Sequence, residues 1–510
     1  MSSNNGRSAN PYTLHHGDCL DVLRQQPSGH FAAVLSDPPA GIGFMGKPWD
    51  SHSRYEPRTS TGQTAAAGLS LWVQAGMMQP WEAGFVTFMT DVFSEVHRLL
   101  IPGGHGLIWS LPRTNDLTTL ALRLAGFDIR DVVAHLFGSG FPKSLDISKA
   151  IDKAAGAERE VVGVNGTSCD MRGGNYRGSH GKERLPNAIT APATPLAHQF
   201  NGYGTALKPA HEDWVLIMKP TSGSFAHNAA THGLAGINVD GARVELIGIE
   251  NHKTPAKSGL GKNGIYGKST KDYLIEGRDL VRYTSNGRFP ANLITDGSEA
   301  ATAVFPETSS GKMNGGTIRT SHNQVYGNGL SPAGAVATQN DTYGDTGSAA
   351  RFFYTAKPHK RERDAGLGNN EWQTVGDGRA KAIDNPFQRD QTPRRNAHPT
   401  VKPIELTKYL ATLLLPPACA TRRLLVPFSG SGSELIGGLL AGWDEVVGIE
   451  MDGDHLATAA ARLSWWQTIS SQLHSNDVGK ILAYAFPEDN QPQTAVSPLT
   501  DLPLFAGGGK

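Results

Sequence analysis

The sequence predicts a doubly wound α/β fold, a mostly parallel sheet with helices on both faces, and three observations predict it. Short apolar runs alternate with helical patterns over residues 11–150 and again after His398. The run from Phe31 to Leu35 stops abruptly at Asp37-Pro38-Pro39, as a buried strand does on entering a loop. Farther on, Leu424-Leu425-Val426 reads as a strand feeding a glycine turn, Pro427-Phe428-Ser429-Gly430-Ser431-Gly432, at a helix start.

The elements follow in order. Between Trp81 and Leu100, the residues Phe85, Phe88, Met89, Val92, Phe93, Val96, Leu99 and Leu100 recur at spacings of three and four, which predicts a helix with one apolar face. Pro102-Gly103-Gly104 is expected to stop it. A strand over Gly106–Trp109, a helix near Leu117–Ala125, a strand before Gly138-Ser139-Gly140 and a strand over Trp214–Met218 come next. From Thr221 to Arg395 the rhythm is lost in a stretch rich in Gly, Ser, Thr and Asn, broken by Asn292-Leu293-Ile294 and Phe352-Phe353-Tyr354. Regular structure is expected again in a helix over Ile404–Leu414, closed by Pro416-Pro417. A strand over Leu424–Val426, a helix over Glu434–Ala441 and a strand over Val446–Ile449 complete it. The pattern weakens after Trp466, and a disordered tail is expected from Pro487. The expected domains are therefore 11–220, an inserted region 221–395, a second half 396–470, and an extension 471–510.

Bulk composition narrows the class. The chain has 510 residues, with 47 Lys plus Arg against 47 Asp plus Glu, so a surface basic all over is excluded while one basic cleft is not. Sixty glycines and 31 prolines make long loops expected. Cys19, Cys169 and Cys419 are far apart with no C-x-x-C pair, which argues against a disulfide framework or a structural metal site and fits a reducing cytoplasm. Residues 1–10 are polar, unlike a signal peptide, and no apolar run reaches the roughly 18 residues of a membrane span. A soluble, cytoplasmic protein without a resident metal is expected.

One local charge bias stands out. Residues 251–290 carry Lys253, Lys257, Lys262, Lys268, Lys271, Arg278, Arg282 and Arg288 against Asp272, Glu276 and Asp279, a net of +5. Each charge alone reads as a solvated surface; grouped inside a long insertion they suit phosphate contacts.

Two strand ends carry chemistry. Glycines in the turn after Val426 let a ligand approach the backbone at a helix N-terminus, which favours negative groups. Glu450, twenty residues after Gly430 at the next strand end, can accept both hydroxyls of a ribose. At the other end, Asp37-Pro38-Pro39 sits where ligands bind in open α/β sheets. Its prolines fix φ and leave rigidly aimed carbonyls beside a carboxylate. An exocyclic amine of adenine or cytosine is a poor nucleophile, because its lone pair is delocalised into the ring. The Asp37 carboxylate and the Pro38 carbonyl, accepting its hydrogens, would localise that lone pair.

With these residues in place the sequence resembles the β-class amino-methyltransferases of DNA, especially phage and prophage forms. The matching elements are Gly17-Asp18-Cys19-Leu20, Ser36-Asp37-Pro38-Pro39-Ala40, Phe44-Met45-Gly46-Lys47, Trp49-Asp50, His398-Pro399-Thr400-Val401-Lys402-Pro403, Val426-Pro427-Phe428-Ser429-Gly430-Ser431-Gly432 and Gly448-Ile449-Glu450. The resemblance covers most of residues 11–466. It implies a circularly permuted, Rossmann-like methyltransferase sheet with a large inserted target-recognition region, S-adenosyl-L-methionine as cofactor, and double-stranded DNA as substrate. It also implies that Asp37, Pro38, Pro39 and Ala40 form the catalytic turn on a flipped base. Asp18, Thr400, Lys402, Pro427, Phe428, Gly430, Gly432 and Glu450 would hold the cofactor. The acidic first letter of the turn points to adenine N6. Cytosine N4, a modified sulfonium donor and a non-catalytic DNA-binding relative stay open. Two departures bear on this: Ala40 stands where the family has an aromatic, and Val426 where it has Asp. At the far end Leu502-Pro503-Leu504-Phe505 resembles peptides that dock on bacterial sliding clamps.

Overall fold

The structure is a computed structural model. It describes residues 11–42, 50–51, 55, 64–138, 140, 144–164, 188–245, 254–255, 281–282, 287–310, 318–319, 336–337, 345–359, 361–368, 373–374 and 393–487. The tail with Leu502–Phe505 lies outside them, as do Cys169 and residues 43–49 with Phe44 and Trp49.

A nine-stranded sheet forms the centre. In chain order its strands are β1 Tyr12–His16, β2 Phe31–Ser36, β3 Leu100–Ser110, β4 Asp128–Leu136, β5 His211–Met218, β6 Leu293–Thr295, β7 Tyr354–Thr355, β8 Arg423–Val426 and β9 Glu445–Glu450. Across the sheet they run β1-β9-β8-β2-β3-β5-β4-β6-β7. β1, β9, β8, β2 and β3 are mutually parallel, and β5 runs antiparallel to β3. This is the expected doubly wound α/β sheet. Its chain order is permuted: β8, with the glycine turn, lies beside β2, with Leu424 opposite Ala33 and Leu425 opposite Val34.

Strand alternation fills two cores, one on each face. Ala33 and Leu35 of β2, Leu424 and Val426 of β8, and Val446 of β9 pack on one side with helices α4 (Ile404–Leu414), α5 (Ser433–Ala441) and α6 (Gly453–Leu473). Phe31, Val34, Leu425, Val447 and Ile449 pack on the other with α1 (Cys19–Gln25), α2 (Pro80–Leu99) and α3 (Asn115–Leu124). α2 buries Phe85, Met89, Val92, Phe93, Val96 and Leu99, the stripe expected from its spacing. At about 1.5–3 kcal/mol per fully buried large apolar side chain, that stripe anchors the helix.

Two expectations need correction. Pro102-Gly103-Gly104 does not stop the helix; α2 ends at Leu99 and β3 starts at once with Leu100. The Pro-Gly-Gly segment is an irregularity inside β3: Phe31 pairs with Leu100, but Ala33 next pairs with His105. Gly103 takes φ +76°, and a Cβ there would strike Asn228 at 2.3 Å, so glycine is required. After Trp466 helix continues rather than fading, through the end of α6 and a further helix, Val478–Ala485. Only Ala459, Arg462, Leu463 and Trp466 of α6 are buried, so its apolar stripe is too sparse to read.

The short pieces Leu293–Thr295 and Tyr354–Thr355 join the sheet edge as β6 and β7. By its contacts the chain divides into residues 1–136 with 212–510, and residues 137–211. Within the smaller unit, helix Ile147–Ala154 is capped by Asp146. There Asp152 accepts from Arg159, from the backbone of Ala193 and Thr194, and from the Thr194 hydroxyl. Those donors hold its carboxyl down near 2 against the effect of desolvation. Among the described residues no helix is long and apolar enough to cross a membrane, and no cluster suits a metal ion.

Candidate active site

Four neighbouring strands, β1, β9, β8 and β2, end at one edge of the sheet. Each carries a singled-out segment just past its end: Asp18 after β1, Glu450 at the end of β9, Pro427–Gly432 after β8, and Asp37–Ala40 after β2. The chain leaves β8 through α5 toward β9 on one side, and leaves β2 through α2 toward β3 on the other. That divergence makes the junction of β8 and β2 the topological switch point, the place where α/β sheets bind ligands.

The Asp37 turn is rigid. Pro38 and Ala40 are buried, and Asp37 and Pro39 half-buried. Asp50, fully buried, accepts from the backbone N–H of Gly41 at 2.6 Å and of Ile42 at 3.2 Å. The Thr114 hydroxyl donates to the Ala40 carbonyl at 3.0 Å. The backbone just past the prolines is thus clamped from both sides. Gly41 has φ +69°, and a Cβ on it would meet the Phe85 ring at 2.8 Å.

The Asp37 carboxylate faces Lys402, with Nζ 3.3 Å from Oδ2. The same ammonium lies 3.5 Å from Glu212 Oε2 and 4.0 Å from the Trp109 ring centroid. Trp109 Nε1 donates to Glu212 Oε2 at 2.9 Å. A fourth ionisable group, Glu434 in the first turn of α5, is 4% exposed and interacts with the charges of Asp37 and Lys402. Burial pushes Asp37 up to about 6, against the pull of Lys402. Burial, and then the Asp37 charge, push Glu434 up to about 8. Burial alone would raise Glu212, but Lys402 and the Trp109 hydrogen bond hold it below its usual range. Burial would lower Lys402, yet Asp37 and Glu212 keep its ammonium charged.

The glycine turn is braced from below. Gly430 has φ +48° and Gly432 φ +85°, values that leave little choice of residue. Gly430 also touches His398: a Cβ would lie 2.8 Å from its Nε2. The fully buried Arg462 donates to the Ser431 carbonyl at 2.6 Å and to the Glu362 carbonyl at 3.3 Å. His398 packs edge-on to His455, and burial pushes it down to about 3, so it is neutral. Thr400 donates its backbone N–H to His398 Nδ1 at 3.4 Å.

Glu450 accepts from the Gly430 N–H at 2.8 Å through one oxygen and from the Asp452 N–H at 2.8 Å through the other. Each oxygen keeps a further lone pair. The carboxylate therefore ties the glycine turn to the β9 end and can still accept from two hydroxyls. Asp18 caps α1, accepting from the Leu20 N–H at 2.9 Å, directly after the strand whose His16 pairs with Glu450.

Of the sequence-singled residues, the structure thus gathers Asp18, Asp37, Pro38, Pro39, Ala40, Lys402, Pro427, Phe428, Gly430, Gly432 and Glu450 along one edge, with Thr400 in the segment leading to Lys402. The basic group is different. Lys253, Lys257, Lys262, Lys268 and Arg278 lie outside the described residues, and Arg282 sits in a short strand, Val281–Arg282. Arg288 donates to the Arg351 carbonyl at 3.2 Å and stands over the Phe352 ring. Sequence reasoning missed Glu212, Trp109, Arg462 and Glu434 as parts of the site. An acid two residues before the apolar strand Trp214–Met218 was a signal for Glu212; nothing in the sequence tied Glu434 to Asp37.

No family model matches the chain, and no curated protein matches it. Similar solved structures include the PvuII cytosine-N4-specific DNA methyltransferase, 9% identical, covering 89% of this chain and 86% of that one at a TM-score of 0.38. Another is the M1.HpyAVI–SAM complex, 11% identical, covering 89% of this chain and 100% of that one at a TM-score of 0.31. Likeness of this degree assigns no activity; the residues must.

Proposed function

We propose that the chain is an S-adenosylmethionine-dependent DNA methyltransferase that modifies an exocyclic base amine, with adenine N6 as target. The observation that carries this is the convergence of Asp18, Glu450, the glycine turn and Asp37 on four adjacent strand ends. A nucleoside-sized ligand held by the first three would lie beside the carboxylate assigned to the amine.

The residues fit the cofactor. Glu450 has acceptor capacity for two ribose hydroxyls, and the two left-handed glycines present backbone at the α5 N-terminus. Bound S-adenosylmethionine supplies an electrophilic methyl group. Asp37 and the Pro38 carbonyl orient the amine and accept its hydrogens, and the Asp50 and Thr114 clamps keep that turn from yielding. Lys402 fixes the direction of the Asp37 carboxylate. The amine is inaccessible in a stacked pair, so the base is flipped out of double-stranded DNA. Lys253, Lys257, Lys262, Lys268, Arg278, Arg282 and Arg288, within the inserted 221–395 recognition region, contact phosphates.

The test is co-expression with plasmid DNA, followed by digestion with methylation-sensitive nucleases and base-resolved sequencing. N6-methyladenine in one sequence context, lost with Asp37→Ala, is the expected result. N4-methylcytosine instead would keep the reaction class and replace the target. Unmodified DNA from cells holding folded protein would overturn the reading.

A further inference from the structure

The Lys402 ammonium is shared between two carboxylates and closes on neither. Its Nζ stands 3.3 Å from Asp37 Oδ2 and 3.5 Å from Glu212 Oε2, both longer than the roughly 2.7–2.9 Å of a charge-assisted N–H···O contact. It also lies over the Trp109 ring, 4.0 Å from the centroid. The Lys402 side chain is only 8% exposed, so water does little to set its place. Glu212 is not free to follow the ammonium, because the same Oε2 accepts from Trp109 Nε1 at 2.9 Å. Topology brings these groups together. β5 runs antiparallel to β3, with Trp214 opposite Trp109 and Asp213 opposite Ser110, so its first residues lie where β3 ends. Ser36, the last residue of β2, pairs with Ile108, so Trp109 comes level with Asp37. One residue of β3 and one of β5 thus anchor the cation that faces the carboxylate assigned to the amine.

We infer that Glu212, anchored by Trp109, is a positioning residue for methyl transfer: it shares the Lys402 ammonium with Asp37, keeps it from closing there, and so leaves the Asp37 carboxylate able to accept from the base amine. This role rests on the one proposed above for Asp37. A carboxylate in a full hydrogen bond to an ammonium is a weakened acceptor, since the cation competes for its lone pairs and lowers its basicity. A cation held between two carboxylates still aims Asp37 and favours its ionised form, yet saturates neither. Without the Glu212 charge, Lys402 closes on Asp37, and the amine meets an acceptor already engaged. Asp37, which burial raises to about 6 with a further push from the Glu212 charge, then ionises at lower pH. The other titratable groups facing these residues are Glu434 in the first turn of α5 and His135 of β4, which burial pushes down. Neither is altered in the variants that test the idea.

The experiment is single-turnover methyl transfer by the full chain from radiolabelled S-adenosylmethionine to unmethylated plasmid DNA, followed across pH, with calorimetry for the cofactor. Glu212→Gln keeps an oxygen for the Trp109 N–H but loses the charge. Its maximal rate should fall roughly tenfold, and the acid limb of its profile should move to lower pH. Cofactor affinity and the half-saturating DNA concentration should stay within about twofold of wild type. Trp109→Phe, which keeps a ring under Lys402 and loses the N–H, should move rate and limb in the same directions by less. It decides the matter if Glu212→Gln does not fold. A rate that falls equally at every pH, with the limb unmoved, marks Glu212 as merely structural and overturns the inference. Weakened cofactor binding with an unmoved limb overturns it too, by placing Glu212 on the donor. A wild-type profile in the folded variant removes the role of Glu212 and leaves the methyltransferase reading standing. Wild-type protein that transfers no methyl group removes both.

Discussion

Lys402 Nζ lies 3.3 Å from Asp37 Oδ2, joining the segment before α4 to the turn after β2. The carboxylate is therefore held before any substrate arrives. Because Asp37 is assigned to the amine and not to the donor, Asp37→Ala should abolish methyl transfer and leave cofactor affinity close to wild type. Transfer measured with a radiolabelled methyl donor, beside calorimetry, checks both halves; retained transfer would remove Asp37 from the chemistry.

Removing the other partner should cost the fold. Lys402→Met leaves the half-buried Asp37 and Glu212 without their buried cation, a loss that solvent screening holds below the roughly 3–5 kcal/mol of a fully buried broken pair. Urea unfolding measures it. A midpoint equal to wild type would mean that the two carboxyls are satisfied without Lys402.

Glu450 ties Gly430 and Asp452 through its two oxygens. Glu450→Ala should weaken S-adenosylmethionine by roughly 1.5–3 kcal/mol, the worth of hydrogen bonds to a charged acceptor. Unchanged affinity in a folded variant would take Glu450 out of the cofactor site.

Ala40 is 9% exposed and its carbonyl is held by Thr114. An added ring has little room, so Ala40→Tyr should lose activity and about 1–3 kcal/mol of stability through overpacking. A faster variant on the same DNA would show instead that the pocket lacks a ring.

A pH effect follows from Glu362, buried at 5% exposure and pushed by that burial from 4.5 up to about 8. A carboxyl whose folded value is raised favours the fold below its unfolded value, and that contribution is lost as pH rises through the folded one. Glu362→Gln should therefore gain stability over wild type progressively between about pH 4.5 and pH 8, read as urea midpoints. A constant difference across that range would refute it.

How much of this was legible varied with the kind of residue. β2, β8 and β9 are continuous apolar runs ended by Asp-Pro-Pro, by glycines and by Glu450, so strand ends and turn chemistry could be read directly. The three residues of β6 and the two of β7 are too short for any period to show. The pairing of Glu212 with Lys402 was out of reach for another reason. It is made through sheet order, and residue spacing carries no record of which distant segment lies alongside.

The permuted order has a consequence for synthesis. β2 is made early, but the neighbour on its left edge, β8, begins only at Arg423. At about 5–20 residues per second, the hydrogen-bonding edge of β2 waits roughly 20–80 s on the ribosome for its partner. Any truncation before β8 leaves a mostly apolar strand, buried along its whole length in the fold, with one open edge. Nascent and prematurely ended chains should thus be the aggregation-prone forms of this protein, and the glycine turn that follows β8 is built only as that edge is finally closed.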